Sequence, residues 1–380
     1  MVFGTRPEAI KMAPLVQEIQ RSNGLDVSIC VTGQHREMLD QVLNAFDLKP
    51  DFDLDLMMAD QTLSDVTTGV LDGVGNVISK IEPAIVVVQG DTTTAMAGAL
   101  AAYYAQVPIA HVEAGLRTGQ KYSPFPEEIN RAIIDVMSDL HFPPTETARQ
   151  NLLRTGASDA SITVTGNTAI DAILLMQQRT QGLKPGDPAL SDIPLDLAEL
   201  VGAPDSDHRL ILVTGHRRES FGEDLDAICR ALLRIVDEHA NVKVAYPVHL
   251  NPRVRESVFR ILGDSDRVRL FEPPAYPAFV WLLNRAHMVI TDSGGIQEEA
   301  PALNKPVLVT RRVTERPEAV DAGCAKLVGV ETESIFEAAS QLLNDEALYR
   351  RMSNSPNPFG DGTAAVRITE AVGKWLTLNE

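Results

Sequence analysis

Short runs of Val and Ile, each followed by a turn and then by a helical stretch, recur along the chain. The runs predicted as strands are Val27–Thr32, Ile85–Gln89, Val107–Val112, Ile162–Thr165, Leu210–Thr214, Val242–Pro247, Met288–Thr291 and Pro306–Val309. Several are continuous rather than alternating, which is typical of parallel strands covered on both faces. The helical stretches between them include Glu8–Arg21, Leu63–Lys80, Thr94–Ala105 and Asp224–Glu238. The pattern predicts an α/β fold with parallel sheets.

The strand series restarts near residue 210, and 380 residues suffice for two domains. We expect an N-terminal Rossmann-like domain over residues 1–170 and a C-terminal Rossmann-like domain over 171–360. A last helix, 361–380, is expected to pack back on the first domain. Doubly wound domains bind ligands at the carboxyl ends of their strands. We therefore expect a site in a cleft that the two domains face.

The charge balance limits the partners. A net charge of −18, from 52 acids against 34 bases, opposes nonspecific binding to nucleic acid or to anionic membranes. No apolar run approaches the ~20 residues of a membrane span, and no secretory signal is visible. Cys30, Cys229 and Cys324 are widely spaced and fit reduced thiols. We expect a cytoplasmic protein with no nucleic-acid or membrane partner.

Two common nucleotide-binding motifs are missing from the sequence. No GxGxxG motif follows a predicted strand, which argues against an NAD site, and there is no GxxxxGK[ST] phosphate loop. The cysteines and histidines form no metal-ligand spacing. The sequence therefore predicts chemistry without a cofactor or a metal ion.

The turn after the first predicted strand carries two basic side chains. Gly4 permits a tight strand-to-helix turn, and Pro7 suits a first helical position. A helix N-terminus attracts anions, and Arg6 and Lys11 add positive charge there. The motif is compatible with an anion site, and also with an ordinary turn that carries a solvated arginine.

Acidic side chains follow two predicted strands. Asp91 comes after Ile85–Gln89, and Glu113 comes after Val107–Val112. Because the carboxyl ends of parallel strands meet at one edge of a sheet, both acids are candidates for one crevice. Asp91, or one of the threonines that follow it, could instead cap the helix that begins there. Glu127 lies in the first turn of another predicted helix, where the helix dipole favours an acid whatever the function.

Basic residues follow the first strand of the second domain. His216, Arg217 and Arg218 come directly after Leu210–Thr214 and suit a diphosphate, with a solvated basic loop as the alternative. His249, after a later strand, fits a ligand or a structural role.

A glycine pair follows Met288–Thr291. Gly294 and Gly295 let backbone N–H groups approach phosphate oxygens at a helix start, and Ser293 adds a hydroxyl. Glu299, about one turn into that helix, can accept hydrogen bonds from both ribose hydroxyls. A helix cap with a surface acid is the alternative, but it leaves the two glycines unexplained.

Nine strings, spread in order over nearly the whole chain, resemble motifs of the bacterial non-hydrolysing UDP-N-acetylglucosamine 2-epimerases. They are FGTRPEAIKMAPL (3–15), TGQHREMLDQVL (32–43), GDTTT (90–94), HVEAGLRTG (111–119), PEEINR (126–131), TGHRRESFG (214–222), YPVHLNP (246–252), TDSGGIQEEAP (291–301) and TERPEA (314–319). The resemblance implies the two-domain fold called GT-B. It also implies interconversion of UDP-GlcNAc and UDP-ManNAc for cell-surface polysaccharide biosynthesis.

The resemblance further implies a role for each matching residue. The UDP part would be held by Arg6, His216, Ser293, Gly294, Gly295, Glu299 and Arg316, with Phe279 packing near the uracil. The sugar or its leaving diphosphate would face Lys11, Asp91, Glu113 and Glu127, with His216 also stabilising the leaving group. At Pro274 the sequence departs from the family pattern, so no contact is carried over there.

The chemistry of the sugar narrows the mechanism. The C2 proton of an N-acetylhexosamine is not next to a carbonyl group, so simple enolisation cannot remove it. Without a nicotinamide cofactor, elimination remains: UDP leaves C1, the C2 proton is removed, and a 2-acetamidoglucal stays bound until UDP adds back. This route requires cations for the diphosphate and carboxylates as acid and base, which the assigned residues could supply. Which carboxylate has which role stays open.

Three other functions remain as alternatives. They are a glycosyltransferase of the same fold, a hydrolysing epimerase that releases ManNAc and UDP, and a UDP-sugar sensor without turnover. The three acids of the first domain argue against the glycosyltransferase.

The resemblance also predicts regulation and assembly. Bacterial members are activated by a second UDP-GlcNAc molecule, and the matching positions here are Gln34, Glu128, Arg218 and His249. Ordinary polar residues lining a wide cleft are the alternative. A homodimer is implied as well. Other members carry several residues before the position of Met1, so we expect an unusually short first strand.

Overall fold

The computed structural model describes residues 1–33, 36–56, 61–203, 207–215 and 222–379, without the side chains of 36 and 37. The chain divides into two compact units. Unit 1 comprises Met1–Ala172 together with Phe359–Glu380, and unit 2 comprises Ile173–Pro358.

Unit 1 contains six short parallel strands. They are β1 (Val2–Phe3), β2 (Cys30–Val31), β3 (Phe52–Asp53), β4 (Val86–Gln89), β5 (Ile109–Val112) and β6 (Leu140–Phe142). Hydrogen bonds join β1 to β2 and β2 to β3, and separately β4 to β5 and β5 to β6. Because β1 also contacts β4, the strands follow the order 3-2-1-4-5-6 of a Rossmann fold.

The helices of unit 1 alternate with these strands. They are α1 (Arg6–Arg21), α2 (Arg36–Ala45), α3 (Leu63–Ile81), α4 (Thr93–Tyr104), α5 (Glu127–Met137) and α6 (Glu146–Arg154). Helix α7 (Thr168–Thr180) leads from unit 1 into unit 2, and α16 (Ala364–Asn379) returns to pack on α1. The alanine-rich α4 is buried against β4, which places the turn between them at the edge of the sheet.

Unit 2 contains one six-stranded parallel sheet. Its strands are β7 (Arg209–Thr214), β8 (Val242–Pro247), β9 (Val268–Phe271), β10 (Met288–Thr291), β11 (Val307–Val309) and β12 (Ala325–Leu327). The order β12-β11-β10-β7-β8-β9 repeats that of unit 1. The helices are α8 (Leu195–Gly202), α9 (Glu223–Glu238), α10 (Pro252–Leu262), α11 (Tyr276–Arg285), α12 (Gly294–Ala302), α13 (Pro317–Asp321), α14 (Thr332–Asn344) and α15 (Glu346–Ser353).

The predicted α/β class with two Rossmann-like halves is confirmed, but one predicted strand is wrong. Ile162–Thr165 forms only an isolated bridge, between Ile162 and His141 beside β6. The strands that the pattern missed, β3, β6, β9 and β12, are all edge strands. An edge strand is covered less completely, so its sequence need not be continuously apolar.

Two further observations concern the predicted environment. The three cysteines are buried free thiols, as expected. Among the described residues, no helix has both the length and the apolar character to span a membrane.

Candidate active site

The strand order of each unit reverses at one point, between β1 and β4 in unit 1 and between β7 and β10 in unit 2. Open α/β sheets bind ligands outside the carboxyl ends of the strands at such a point. Arg6 and Asp91 closely follow β1 and β4, and Ser293 closely follows β10, so the topology places these predicted residues at the reversal points.

The turns after β1 and β4 are fastened to each other by Glu8. Its Oε2 accepts hydrogen bonds from Gly4 N at 3.0 Å and Thr5 N at 2.8 Å, and its Oε1 accepts one from Thr92 Oγ1 at 2.6 Å. Burial raises the pKa of the Glu8 carboxyl, and these hydrogen bonds partly offset the effect. Gly4 is required sterically, because a Cβ there would lie 2.0 Å from Thr32 Oγ1. The turn that carries Arg6 and Lys11 is therefore preorganised.

Glu113 lies at the centre of a network of side chains. Lys11 Nζ donates to both of its carboxylate oxygens at 2.7 Å, Asn167 Nδ2 donates to Oε1 at 2.9 Å, and Gln89 Nε2 donates to Oε2. The carboxylate is buried, and the backbone of Glu113 has a φ of 64°, which is uncommon for a residue with a side chain. Strained backbone of this kind concentrates at functional sites. Three donor side chains, one of them a lysine, therefore hold the Glu113 carboxylate in place.

Asp91 does not cap the helix that follows it. Thr92 caps α4 by accepting a hydrogen bond from Ala95 N at 2.9 Å. The Asp91 carboxylate instead pairs with Arg131, and its backbone oxygen accepts a hydrogen bond from Asn130 Nδ2 at 2.9 Å. The capping alternative is thus wrong for Asp91, whose half-buried carboxylate is held by a cation from α5.

Helix α5 begins with two acids in different surroundings. Glu128 is buried, accepts hydrogen bonds from Thr118 N and Gly119 N at 3.0 Å, and pairs with Arg131 at 3.3 Å. Glu128 therefore shapes the loop at 118–119, and a ligand role for it stays a prediction. Glu127 is half-buried, and its Oε2 has no hydrogen-bond partner in the described part of the chain, although that atom is buried.

The glycine pair of unit 2 lies as predicted at the start of a helix. Gly294 and Gly295 open α12, and Ser293 stands at its N-cap position. Within the described residues the Ser293 side chain makes no capping hydrogen bond, while Ser293 N donates to Thr291 Oγ1 at 2.9 Å. The cap alternative is thus not supported for Ser293. Glu299 is half-buried within the same helix.

Three more predicted contacts lie on other elements of unit 2. Arg316 precedes α13, and its Nε donates to the buried carboxylate of Glu298, which orients the guanidinium. Phe279 is half-buried on α11. His249 is exposed after β8, and its Nδ1 accepts a hydrogen bond from Asn251 N at 3.1 Å. His216, Gln34 and Arg218 lie outside the described residues.

Sequence reasoning missed the partners of the acids. Gln89, Asn167 and Arg131 hold the Glu113 and Asp91 carboxylates, but none was singled out. Gln89 gave a signal, since it is the one polar side chain in the buried strand β4. Asn167 and Arg131 gave no such signal, because they lie 54 and 40 residues along the chain from the carboxylates that they contact.

The described residues include no group of three His, Cys, Asp or Glu side chains placed to hold a metal ion. The arrangement provides cation-paired carboxylates in unit 1 and a helix N-terminus with a glycine pair in unit 2.

The sequence is similar to one known family over almost its whole length. Residues 17–373 match the family described as UDP-N-acetylglucosamine 2-epimerase. The UDP-N-acetylglucosamine 2-epimerase of Escherichia coli K12 is 51% identical over 371 residues, which cover 98% of this chain and 97% of that protein.

Two solved structures of such epimerases are similar over almost their whole length. One from Listeria monocytogenes has a TM-score of 0.90 at 45% identity. The similarity covers 100% of this chain and 96% of the Listeria chain. One from Neisseria meningitidis, bound to UDP-GlcNAc, has a TM-score of 0.87 at 43% identity and covers 98% of each chain.

Proposed function

Because the chain belongs to the UDP-N-acetylglucosamine 2-epimerase family, we propose that it interconverts UDP-GlcNAc and UDP-ManNAc by elimination and re-addition of UDP. The product would serve cell-surface polysaccharide synthesis. The buried free thiols fit a cytoplasmic reaction.

One observation carries the mechanism: three carboxylates at one edge of unit 1 have unlike partners. Glu113 is surrounded by Lys11, Gln89 and Asn167, and Asp91 is paired with Arg131. Glu127 has a buried oxygen without a hydrogen-bond partner in the described residues. A carboxylate beside a cation is held ionised, whereas one without such a partner accepts a proton more readily. Unlike environments of this kind separate an acid from a base.

The forward half-reaction breaks two bonds of the substrate. The C2–H bond gives its proton to an ionised carboxylate, and the C1–O bond gives its electron pair to the departing UDP. A double bond forms between C1 and C2, which leaves 2-acetamidoglucal beside UDP. Asp91 and Glu113 are the candidates to take the proton, since each carboxylate is held in place by a cation.

The return half-reaction inverts C2. A proton reaches C2 on the opposite face, and a diphosphate oxygen re-forms the bond to C1. We assign this proton to Glu127. The assignment of these roles rests on the different surroundings of the three carboxylates, and substitution of each carboxylate tests it.

Unit 2 would hold the nucleotide. The first N–H groups of α12 and the hydroxyl of Ser293 would bind the diphosphate, and Glu299 would accept hydrogen bonds from the ribose hydroxyls. Arg316 would contribute positive charge, and Phe279 would pack near the uracil. Arg6, Lys11 and His216 would stabilise the leaving diphosphate.

Proton NMR of UDP-GlcNAc with the protein in heavy water tests the proposal. We expect the signals of UDP-ManNAc to appear and C2 to gain deuterium in both sugars, because a base exchanges its proton with solvent before return. Product without C2 deuterium would contradict elimination with exchange. Stoichiometric free UDP would indicate a hydrolysing enzyme, and transfer only with an acceptor would indicate a glycosyltransferase. Binding without turnover would indicate a sensor.

The same protein, after treatment with chelator and charcoal, is expected to remain active. Loss of activity that is restored by NAD would contradict elimination and support a transient oxidation.

We also propose a second UDP-GlcNAc as an activator, on the strength of the family resemblance. His249 is exposed and held on its loop by Asn251, so it can meet a ligand. The forward rate should then depend sigmoidally on UDP-GlcNAc. Pure UDP-ManNAc should react slowly until a trace of UDP-GlcNAc is added. His249→Ala should abolish that response, and hyperbolic kinetics in both directions would remove the activator proposal alone.

A homodimer is supported by an apolar stripe on α5. Ile129, Ile133 and Val136 follow one another at helical spacing and remain exposed, with Val136 at 80%, and Tyr103 and Tyr104 are exposed at the end of the neighbouring α4. We propose that a second copy covers this face. Val136→Lys should convert dimers to monomers in light scattering, whereas a wild-type protein that is already monomeric would refute the dimer.

A further inference from the structure

His111 lies on β5, directly beneath the candidate site, and is fully buried. Its Nε2 is 2.7 Å from the backbone oxygen of Gly90, and its Nδ1 is 2.6 Å from Asp135 Oδ1. Gly90 precedes Asp91, and Asp135 lies on α5. The ring therefore connects the turn that carries one catalytic candidate to the helix that carries another, Glu127.

The two partners determine the protons of the ring. A carbonyl oxygen can only accept, so Nε2 must carry a hydrogen. Asp135 also accepts a hydrogen bond from Arg117 Nη2 at 2.6 Å, on its other oxygen. Burial alone would raise the pKa of Asp135, but the charges and hydrogen bonds of His111 and Arg117 hold that pKa below its usual range. Because Asp135 accepts from Arg117 on one oxygen and faces the ring with the other, Nδ1 carries a hydrogen as well.

The neighbouring histidine shows the contrast. His141 pairs with His111 across β5 and β6 and is also buried. Its Nε2 donates to Asp135 O at 2.9 Å, but its Nδ1 faces the hydroxyl of Ser161 at 3.2 Å. That hydroxyl donates its hydrogen to Ser158 O at 2.7 Å, so the His141 ring contacts a backbone oxygen and a neutral hydroxyl. His111 contacts the Gly90 carbonyl oxygen and the Asp135 carboxylate, and both of these can only accept.

We propose that His111, through the contacts of both its ring nitrogens, positions the Gly90–Asp91 turn for catalysis. It is a positioning residue, since it acts on Asp91 through the Gly90 peptide. Both backbone polar groups of Gly90 are fixed, because Gly90 N donates to Val112 O at 2.9 Å and Gly90 O accepts from His111. Gly90 has a φ of 72°, so a change in its peptide plane would redirect Asp91.

The groups around the ring are Asp135 from α5, Arg117 from the loop after β5, and His141 from β6. Because its two ring nitrogens lie on opposite sides of the ring, His111 joins the Gly90 turn to α5, which a side chain that reached only one of them could not do.

The protonation state is measured on the wild-type protein. The sequence has 8 histidines, so ¹⁵N-histidine labelling gives few signals, and His111→Gln assigns the one in question. We expect both ring nitrogens of His111 to carry hydrogens, because each lies within hydrogen-bond distance of an acceptor. A neutral ring with one protonated nitrogen would overturn the proposal. This measurement needs no turnover, so its outcome is independent of the proposed epimerase function.

The positioning role is measured by kinetics and rests on the proposed function. His111→Gln should lower kcat by about 10- to 100-fold through misplacement of Asp91, with KM and UDP affinity within about threefold. Asp135→Asn should lower kcat less, because its neutral ring can still donate to Gly90, and it should convert the His111 signal to one N–H.

His141→Gln is the matched control, because His141 is equally buried and also contacts Asp135 but does not reach Gly90. Its kcat should stay within about threefold of wild type. Equal losses in His111→Gln and His141→Gln would reduce His111 to a structural role, as would an unchanged kcat in His111→Gln. If His111→Gln does not fold, Asp135→Asn and the wild-type spectrum decide. An inactive wild type would instead refute the proposed function.

Discussion

The two units share one strand order, yet they equip the point where that order reverses in different ways. In unit 1 this edge carries buried or half-buried acids, each held by a partner: Glu8 by Thr92, Glu113 by Lys11, and Asp91 by Arg131. In unit 2 the corresponding edge presents a glycine pair at the start of α12, and the hydroxyls of Thr214 and Thr291 join β7 to β10 at 2.6 Å.

The difference shows that topology determines where a ligand binds, while the side chains determine what happens to it. Buried charges that are paired stay in place, because their reorientation would cost free energy. Such fixed charges suit a site where bonds are broken. Backbone N–H groups at a helix start bind any diphosphate without changing its chemistry. We infer that unit 1 is specialised for the reaction and unit 2 for binding the nucleotide.

The largest effect should come from the carboxylates of unit 1. Asp91→Asn, Glu113→Gln and Glu127→Gln should each lower kcat by about 100-fold or more, because each removes an acid or a base. UDP affinity, measured by calorimetry, should stay within a few-fold.

Glu146→Gln provides the control for these variants. Glu146 is an acid at the start of a helix in the same unit, but its side chain is 62% exposed and lies away from the switch point. Its kcat should match wild type. If any of the three site variants also matched wild type, that acid would be structural and the contrast between the units would weaken.

A smaller effect, on binding, should come from unit 2. Arg316→Ala and Glu299→Ala should each weaken UDP binding by about 1–3 kcal/mol, the worth of a charged hydrogen bond. The kcat at saturating substrate should change much less than in the unit 1 variants. Arg312→Ala is the control, since Arg312 lies in the same segment but is 63% exposed and pairs with Asp224. Native UDP affinity in both site variants would place the nucleotide elsewhere.

Sequence patterns predicted the fold where burial dominates. The central strands β8 and β10 were predicted with the bounds that the structure has, because both are covered on both faces. The edge strands β9 and β12 escaped, since VRLF and AKL mix charged with apolar residues.

Site residues show the same division. Asp91 and Glu113 could be predicted because each follows a strand, which is visible locally. Their partners Arg131 and Asn167 could not, because only the folded chain brings them close. A sequence shows which side chains stand at the end of a strand, but not which counter-charge sets their protonation.

The smallest effect concerns the free energy of unfolding. Its dependence on pH has opposite signs in the two units. In unit 2, burial and the nearby charges of Arg209 and Lys305 lower the pKa of His287 from 6.5 to about 4. Folding therefore favours the neutral ring, so its contribution is complete above pH 6.5 and is lost as the pH falls toward 4. In unit 1, burial raises the pKa of Asp171 from 3.8 to about 6. Its contribution is present below pH 3.8 and is lost as the pH rises through 6.

Acidification from pH 7.5 to pH 5 should therefore weaken unit 2 through His287 while it strengthens unit 1 through Asp171. His287→Phe keeps the stacking on Tyr349, whose ring lies 4.1 Å away, but removes the titration. Relative to wild type, this variant should retain about 1–2 kcal/mol more unfolding free energy on acidification. Hydrogen exchange followed by mass spectrometry reports each unit separately, and the gain should appear in peptides of unit 2 alone. His208→Asn, at an exposed histidine of the same unit, is the control and should follow wild type. Equal pH responses of wild type and His287→Phe would show that the ring is solvated, and the opposite signs of the two units would no longer hold.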